Sequence, residues 1–275
     1  MRFLAIYKGM MRNCFSLVPP GIRRGAFFLR EYLFPFGCSV CGVGLVDAVE
    51  SWYGLCGDCR AGMELELDES LAGRTCDRCG RPLVSEHECC LSCGADNRDG
   101  HEKPALDKAV VLFPYMGKYR QLLSAYKFGR NLALGNFFAE KAIPQLHLLN
   151  MRHDAFSEIC VVPVPPRPGR MRKTGWDQVE YLVRLLERRN GKTGSGQGWP
   201  VSRCLRRLPS ESQKELGRER RRANLRGRIV PVRPGPETAV VVDDVMTTGS
   251  TLESCAAALK ESGTRTVFGL SLFWD

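Results

Sequence analysis

The sequence predicts an α/β protein in which a small cysteine-rich unit precedes a parallel β-sheet with crossover helices. Four C-x-x-C pairs lie between residues 38 and 93, a spacing typical of small metal-binding units. From Ala109 onward, apolar runs of strand length alternate with amphipathic segments of helical length, which is the pattern of a parallel sheet. The 275 residues are enough for two domains, at roughly 150 residues per domain.

The composition is that of a globular protein with a basic excess. Hydrophobic residues make up 44% of the chain and charged residues 25%, which excludes a disordered or collagen-like chain. Lysine and arginine total 40 against 30 acidic residues, and the formal charge of +10 favours polyanionic ligands or partners. Residues 203–228 alone hold ten basic and three acidic residues, a local net charge of +7.

The sequence contains no run of about 18 apolar residues, so a transmembrane helix is not expected. Lys8, Arg12 and two prolines interrupt the apolar stretches near the N-terminus, which does not fit a secretory signal. We therefore expect a cytoplasmic protein without membrane insertion.

The chain has thirteen cysteines, and nine of them lie between residues 38 and 93. Their spacing strongly indicates metal sites. An odd count without an export signal argues against a disulfide framework. The C-x-x-C pairs can instead close two tetrahedral thiolate sites for zinc, the first from Cys38, Cys41, Cys56 and Cys59 and the second from Cys76, Cys79, Cys90 and Cys93. Because no coordination position is left for water or substrate, we expect both zinc ions to be structural.

Two alternatives stay open for these cysteines. A redox pair or chance would explain a single C-x-x-C pair, but four pairs so close together are hard to explain in either way. Cys89 could replace Cys90 in the second site, and Cys90 is preferred because it keeps the two-residue spacing to Cys93.

Strands are predicted over residues 109–115, 158–165, 238–245 and 266–273, and helices over residues 118–128, 177–189 and 251–261. The Gly-Lys-Thr within residues 189–198 is similar to part of a phosphate-binding P-loop. It follows a helix, however, and Leu186 occupies the position of the first P-loop glycine. We interpret residues 189–198 as a flexible connector.

The most specific motif is Val240-Val-Val-Asp-Asp-Val-Met-Thr-Thr-Gly-Ser-Thr-Leu252. A buried strand ends in two carboxylates and passes through a loop of hydroxyl residues and glycine into a helix. Glycine lets the backbone approach a phosphate group, whose charge the loop N–H groups, hydroxyls and helix N-terminus favour. Asp243 and Asp244 can accept hydrogen bonds from ribose hydroxyls. The motif predicts a site for a phosphorylated sugar, although the aspartates alone could be a metal site or a helix cap.

This motif resembles the phosphoribosyl pyrophosphate (PRPP) loop of type I phosphoribosyltransferases. With the cysteine pairs, three segments make the chain similar to the ComF family of competence-associated proteins over about residues 34–273: FPYMGKYRQLLSAYKFGR, VVPVPPRPGRMRKTGWDQVEYL and SQKELGRERRRANLRG. The resemblance implies an N-terminal extension (1–33), a double zinc ribbon (34–103) and a type I phosphoribosyltransferase-like domain (104–275).

The resemblance also implies roles for residues of the site. Asp243 and Asp244 would be catalytic and hold the ribose diol, and the loop after Pro163 would bind pyrophosphate with a bridging Mg²⁺. The 5′-phosphate would be held by Thr247, Thr248, Gly249, Ser250 and Thr251. Cations near the departing pyrophosphate would stabilise its negative charge, and the candidates are Arg170, Arg172 and Lys173. Four further residues lie in family-like segments without a clear role: Lys127, Gln213, Arg221 and Asn224.

One segment departs from the family pattern. Where the family usually has Arg-Gly-Phe-Asn-Gln, this chain has Thr174-Gly-Trp-Asp-Gln178, which removes a cation and adds a carboxylate. If this loop contacts pyrophosphate, we expect weaker binding or turnover unless Arg172 and Lys173 compensate. No residue identifies a pocket for an acceptor base.

The family resemblance implies a PRPP-binding protein that assists DNA uptake and natural transformation, through single-stranded DNA or a helicase-like partner. Residues 203–228 could attract DNA phosphates but contain no aromatic residue for base stacking. A loop that closes over PRPP is the alternative interpretation of that segment. Two other functions are an active Mg²⁺-dependent phosphoribosyltransferase in nucleobase or nucleotide metabolism, and a protein that binds PRPP only as a regulatory ligand.

Overall fold

The computed structural model describes residues 37–98, 104–152, 159–190, 199–209 and 228–275. The predicted N-terminal extension (1–33) lies outside the described residues, as does most of the predicted connector (189–198). Most of the basic segment 203–228 also lies outside them, including Gln213, Arg221 and Asn224.

A four-stranded parallel sheet forms the centre of the fold. The strands in chain order are β1 (Lys108–Pro114), β2 (Cys160–Pro163), β3 (Leu205–Arg207), β4 (Ile229–Pro231), β5 (Thr238–Met246) and β6 (Thr266–Trp274). The sheet has the order β1-β6-β5-β2, and each neighbouring pair is parallel. The predicted α/β class is therefore confirmed, with all four predicted strands in one sheet.

Helices cover both faces of this sheet. They are α1 (Ala48–Tyr53), α2 (Gly57–Ala72), α3 (Leu91–Arg98), α4 (Gly117–Lys127), α5 (Leu132–Arg152), α6 (Arg170–Thr174), α7 (Gln178–Asn190) and α8 (Ser250–Glu261). The bounds of α4, α7 and α8 lie within one residue of the predicted helices. Helix α5 was not predicted, and it continues through Pro144, a residue that normally interrupts a helix. Among the described residues, no helix is long and apolar enough to span a membrane.

The side chains of β5 alternate between two hydrophobic clusters. Val240 and Val242 belong to the cluster on one face, which includes residues of α4, α5 and α7. Ala239 and Val241 belong to the cluster on the other face, which includes residues of α8, β3 and β4. Consecutive residues at the end of β5 therefore enter different surroundings, because side chains of a strand point to opposite faces in turn.

Strands β3 and β4 pair antiparallel as a separate two-stranded sheet, which was not predicted. Leu208 N donates to Arg228 O at 2.7 Å, which extends this pairing by one residue on each strand. Leu205 and Ile229 pack in the same cluster as α8. Strands β3 and β4 therefore lie on the α8 face of the sheet.

The first cysteine group is joined to α5 by the hydrophobic core and by buried polar contacts. Cys38, Cys56 and Met63 belong to the same cluster as Phe137 of α5. In addition, the buried Lys141 Nζ lies 2.8 Å from a Glu64 oxygen and 3.2 Å from a Glu140 oxygen, and Tyr53 donates to Glu140. One hydrophobic cluster thus spans the predicted boundary at residues 103 and 104.

The second cysteine group is seated on the outer edge of β1. Ala109 N donates to Arg78 O at 2.8 Å, and Lys108 Nζ lies 3.5 Å from an Asp77 carboxylate oxygen. An edge strand exposes unpaired backbone groups unless another segment covers them. The turn of the second cysteine group provides this cover for β1.

Candidate functional site

The loop between β5 and α8 lines a cavity of about 230 Å³ at the carboxyl end of the sheet. Gly249 has a φ of +73°, which favours glycine, and it precedes the first residue of α8. The Thr248 and Ser250 hydroxyl oxygens are 2.5 Å apart. The cavity brings together six of the predicted residues with four others: Asp243, Val245, Met246, Thr247, Thr248, Gly249, Ser250, Thr251, Leu252 and Asp275.

This arrangement has the features of an anion site. The first N–H groups of a helix have no partner within the helix, and the helix dipole favours negative charge at that end. The Thr248 and Ser250 hydroxyls are hydrogen-bonded to each other, which leaves one of the two protons for a ligand. A phosphate group in the cavity would thus meet donors from both the backbone and the side chains.

Asp243 is the predicted aspartate that lines the cavity. It is buried on the α8 side of β5, where its Oδ1 accepts a hydrogen bond from Asp244 N at 2.9 Å. Burial raises the pKa of Asp243 well above its ordinary value, and the charge of Asp244 raises it further, while Arg207 acts in the opposite direction. Asp243 therefore retains its proton to a higher pH than an exposed aspartate.

Asp244 faces the other side of the sheet and is already paired. Its Oδ2 accepts hydrogen bonds from Lys127 Nζ and Gln178 Nε2, both at 2.6 Å. Burial alone would raise the pKa of Asp244, but the charge and hydrogen bond of Lys127, together with Gln178, hold it below its ordinary value. The two adjacent carboxylates are thus in different protonation environments, and Asp244 is not among the residues that line the cavity.

The loop after β2 is connected to Asp244 through Gln178. Arg170 donates to Gln178 Oε1 at 2.7 Å, and the amide of Gln178 donates to Asp244. Arg172 and Lys173, in the last turn of the short helix α6, are exposed. The structure therefore brings Arg170 into the network around Asp244 and leaves the other two predicted cations at the surface.

The carboxylate that departs from the family pattern caps a helix. Asp177 Oδ1 accepts hydrogen bonds from Val179 N and Glu180 N, both at 3.1 Å, at the start of α7. Its other oxygen lies 3.5 Å from Arg170 Nε. Aspartate and asparagine are equally good helix N-caps, so the added carboxylate serves a local structural role here and is paired with a cation.

Both predicted sets of four cysteines converge. Within each set, all four Sγ atoms lie within 4.8 Å of one another. Cys41 and Cys56 Sγ are 3.7 Å apart, as are Cys79 and Cys90 Sγ. Zn–S bonds of about 2.3 Å in a tetrahedron place the sulfurs about 3.8 Å apart, so each group has the right size for zinc.

The second group contains Cys90 and not Cys89. The hydrogen bond from Cys93 lowers the pKa of Cys79 to about 5. The pKa values of Cys90 and Cys93 are instead raised, that of Cys90 chiefly by burial, so the case for a metal site rests on the convergence of the four sulfurs. With four cysteine ligands in each group, neither leaves a position for substrate.

Three features of the cavity region were not predicted from the sequence. The sequence indicated no role for Lys127, whose partner Asp244 is 117 residues away along the chain. Asp275 lines the cavity, and its backbone N–H donates to Met246 O at 3.1 Å. Arg81 of the second cysteine group donates to Thr247 O. Only the placement of Lys127 in a family-like segment was a signal in the sequence.

No protein-family model matches the chain, but curated proteins do. It is 26% identical over 235 residues to DNA utilization protein YhgH of Escherichia coli O157:H7, and 25% identical over 244 residues to Competence protein F of Haemophilus influenzae. Both alignments cover 84% of this chain and 93% of the relative. Competence protein ComFC of Bacillus subtilis is 24% identical over 219 residues, which cover 76% of this chain and 79% of the relative.

The fold and the two cysteine groups define a class: a parallel α/β protein with two four-cysteine groups compatible with a double zinc ribbon. The relatives then support the assignment of the chain to the ComF family, which its motifs resemble.

We predict that the freshly reduced protein binds two zinc ions per chain and that Cys90→Ser reduces this to one, because it removes one of four ligands from the second group. Cys89→Ser is the matched control and should retain two. Elemental analysis by mass spectrometry after gel filtration provides the count. A loss of zinc in Cys89→Ser but not in Cys90→Ser would reverse the ligand assignment.

Proposed function

We propose that this protein binds a phosphoribosyl ligand of the PRPP class and assists DNA uptake. The observation that carries the ligand assignment is the cavity that Asp243 and residues 247–251 share at the start of α8. The role in DNA uptake is supported by relatives named as competence and DNA utilization proteins.

The 5′-phosphate is placed at the loop and the N-terminus of α8. Gly249 supplies the left-handed backbone turn, and the hydroxyl pair of Thr248 and Ser250 supplies one donor. The ribose then lies on the β5 side, where Asp243 accepts from a hydroxyl. This order follows the order of the residues along the chain, from the end of β5 to the start of α8.

Asp243 must be ionised to accept hydrogen bonds with both oxygens. Since its pKa is raised in the free protein, ribose binding favours the carboxylate and releases a proton. The affinity contributed by Asp243 therefore increases with pH until the pH exceeds this raised pKa.

Mg²⁺, when bound, would neutralise charge on the pyrophosphate. Asp275 lines the cavity and offers carboxylate oxygen, the ligand type that Mg²⁺ prefers. On the other side of β5, Lys127 and Arg170 are held by Asp244, Asp177 and Gln178. These contacts fix two cations near the carboxyl end of the sheet.

An active phosphoribosyltransferase is the second candidate function. It is favoured by the chain of hydrogen bonds from Arg170 through Gln178 to Asp244, which links the loop after β2 to the end of β5. Cations held in this way could stabilise a departing pyrophosphate. Turnover with a nucleobase or another nucleophile would distinguish this function from PRPP binding as a regulatory signal.

The basic segment 203–228 is the candidate contact for DNA. One arginine in its described part already forms ion pairs within the protein. Arg203 lies 2.9 Å from Glu180 and 3.5 Å from Glu187, and burial lowers its pKa less than these carboxylates raise it. Arg203 is therefore held by two carboxylates of α7. The candidates for DNA phosphates are Arg220, Arg221 and Arg222, which lie outside the described residues. A helicase-like competence protein would be the partner.

We predict that zinc-loaded protein binds PRPP with Mg²⁺ in calorimetric titrations and that Asp243→Asn weakens binding at least tenfold, because the amide cannot replace a carboxylate that accepts with both oxygens. Asp244→Asn tests the network instead and should weaken binding less, since Asp244 contacts Lys127 and Gln178. Equal affinity of the wild type and Asp243→Asn would reject the ribose assignment.

The same titration between pH 6 and 8 provides an internal control for this prediction. PRPP itself titrates in this range, so the difference between the wild type and Asp243→Asn isolates the proton released by Asp243. The difference in affinity should grow as pH rises.

For the DNA role, we predict that the full chain binds single-stranded DNA with an affinity that falls as salt increases, because lysine and arginine release counterions from phosphates. Replacement of Arg220, Arg221 and Arg222 by glutamine should weaken binding and reduce the salt dependence. Arg203→Gln is the control, since Arg203 is bound to α7. Binding that is independent of salt and unaffected by the triple change would remove the basis for direct DNA contact.

A further inference from the structure

The second cysteine group contacts the cavity loop through Arg81. A guanidinium nitrogen of Arg81 donates to Thr247 O, and the guanidinium carbon lies 6.0 Å from the centre of the Trp274 ring. Trp274 is in register with Met246, the residue before Thr247. Arg81 therefore reaches over the end of β6 to the loop that follows β5.

The backbone of Arg81 is fixed by the turn that carries two of the cysteines. Cys76 N donates to Arg81 O at 2.8 Å, and Gly80 N donates to Cys76 O at 2.9 Å. Thr75 and Pro82 form an antiparallel bridge on either side. The backbone of Arg81 is therefore hydrogen-bonded directly to the turn that carries Cys76 and Cys79.

This turn is also held tightly against β1. Gly80 is buried with a φ of +72°, and a Cβ at this position would lie 2.4 Å from Ala109 O, which is closer than real Cβ contacts. Only glycine allows so close an approach. The position of Arg81 relative to the sheet is thus set by the packing of the turn and not by its side chain alone.

The contact with Thr247 determines the direction of one peptide group. In a planar trans peptide the C=O and the following N–H point in opposite directions. Because Arg81 holds the Thr247 carbonyl, the N–H of Thr248 points away from Arg81. An anion-binding loop requires N–H groups directed at the ligand and carbonyls directed away from it.

We propose that Arg81 is a positioning residue that holds the peptide between Thr247 and Thr248 in the orientation required for anion binding, and thereby makes the loop depend on the second cysteine group. The inference rests on the proposed function only for the identity of the ligand. Donors that are oriented in advance bind an anion without a cost of reorganisation. The first cysteine group, which packs against α5, has no corresponding contact with the loop among the described residues.

The test compares Arg81→Met, Arg81→Lys and Arg74→Met in the full zinc-loaded chain. Arg74 is an exposed arginine of the same cysteine group. Arg74→Met is the control because it removes the same charge as Arg81→Met. Hydrogen exchange of residues 246–251 reports the loop without any ligand, and calorimetry with PRPP and Mg²⁺ reports its binding.

We expect Arg81→Met to speed exchange in the loop at least fivefold and to weaken PRPP binding about tenfold. Arg81→Lys, which keeps a donor, should recover most of both effects, and Arg74→Met should match the wild type. Unchanged loop exchange in Arg81→Met would overturn the inference. If wild-type protein does not bind PRPP, the proposed ligand is wrong, and loop exchange still decides the role of Arg81.

The dependence on the second cysteine group is tested by Cys90→Ser against Cys41→Ser, each with its zinc content measured. Loss of the second zinc ion should speed loop exchange as Arg81→Met does, while loss of the first should not. Exchange of the buried β5 amides shows that the sheet remains folded. Equal loosening of the loop in both variants would contradict a specific link to the second group. Should Cys90→Ser unfold, the Arg81 variants decide the question.

Discussion

The candidate site depends on the alternation of side chains at the end of one buried strand. Asp243 and Asp244 are adjacent in the sequence, but β5 directs them to opposite faces of the sheet. Asp244 therefore meets Lys127 and Gln178 and stays ionised, whereas Asp243 enters a buried position beside the loop and retains its proton to higher pH. Two identical residues thus acquire different chemistry from backbone geometry alone.

The cysteine groups contribute to this site as parts of the fold. The first shares the hydrophobic core with α5, and the second covers the edge of β1 and reaches the cavity loop through Arg81. Four cysteine ligands in each group leave no open position for catalysis. Their contribution is therefore to hold the elements around the end of the sheet, which is consistent with structural zinc.

The sequence was sufficient for the sheet because its strands are apolar runs bounded by turn residues, as in residues 238–245. Helix α5 was missed because Pro144 interrupts the pattern, and its apolar residues contact several elements and do not form one stripe. The hairpin of β3 and β4 was missed because strands of three residues have too little pattern to recognise.

The site was predicted in part for the same physical reasons. The loop 247–251 is contiguous, so its motif predicted the residues that share the cavity. The contacts of Lys127 and Arg81 join residues 117 and 166 positions apart, and no local pattern encodes such pairs. The different environments of Asp243 and Asp244 follow from strand alternation, whereas the family resemblance implies one role for both residues at the ribose.

The most direct measurement is the amide NMR spectrum of zinc-loaded protein titrated with PRPP and Mg²⁺. If the cavity at the start of α8 is the phosphoribosyl site, the amides of Thr248, Gly249 and Ser250 should shift saturably and more than those of the basic segment. Shifts confined to the basic segment, or no shifts in the loop at saturating PRPP, would contradict the assignment.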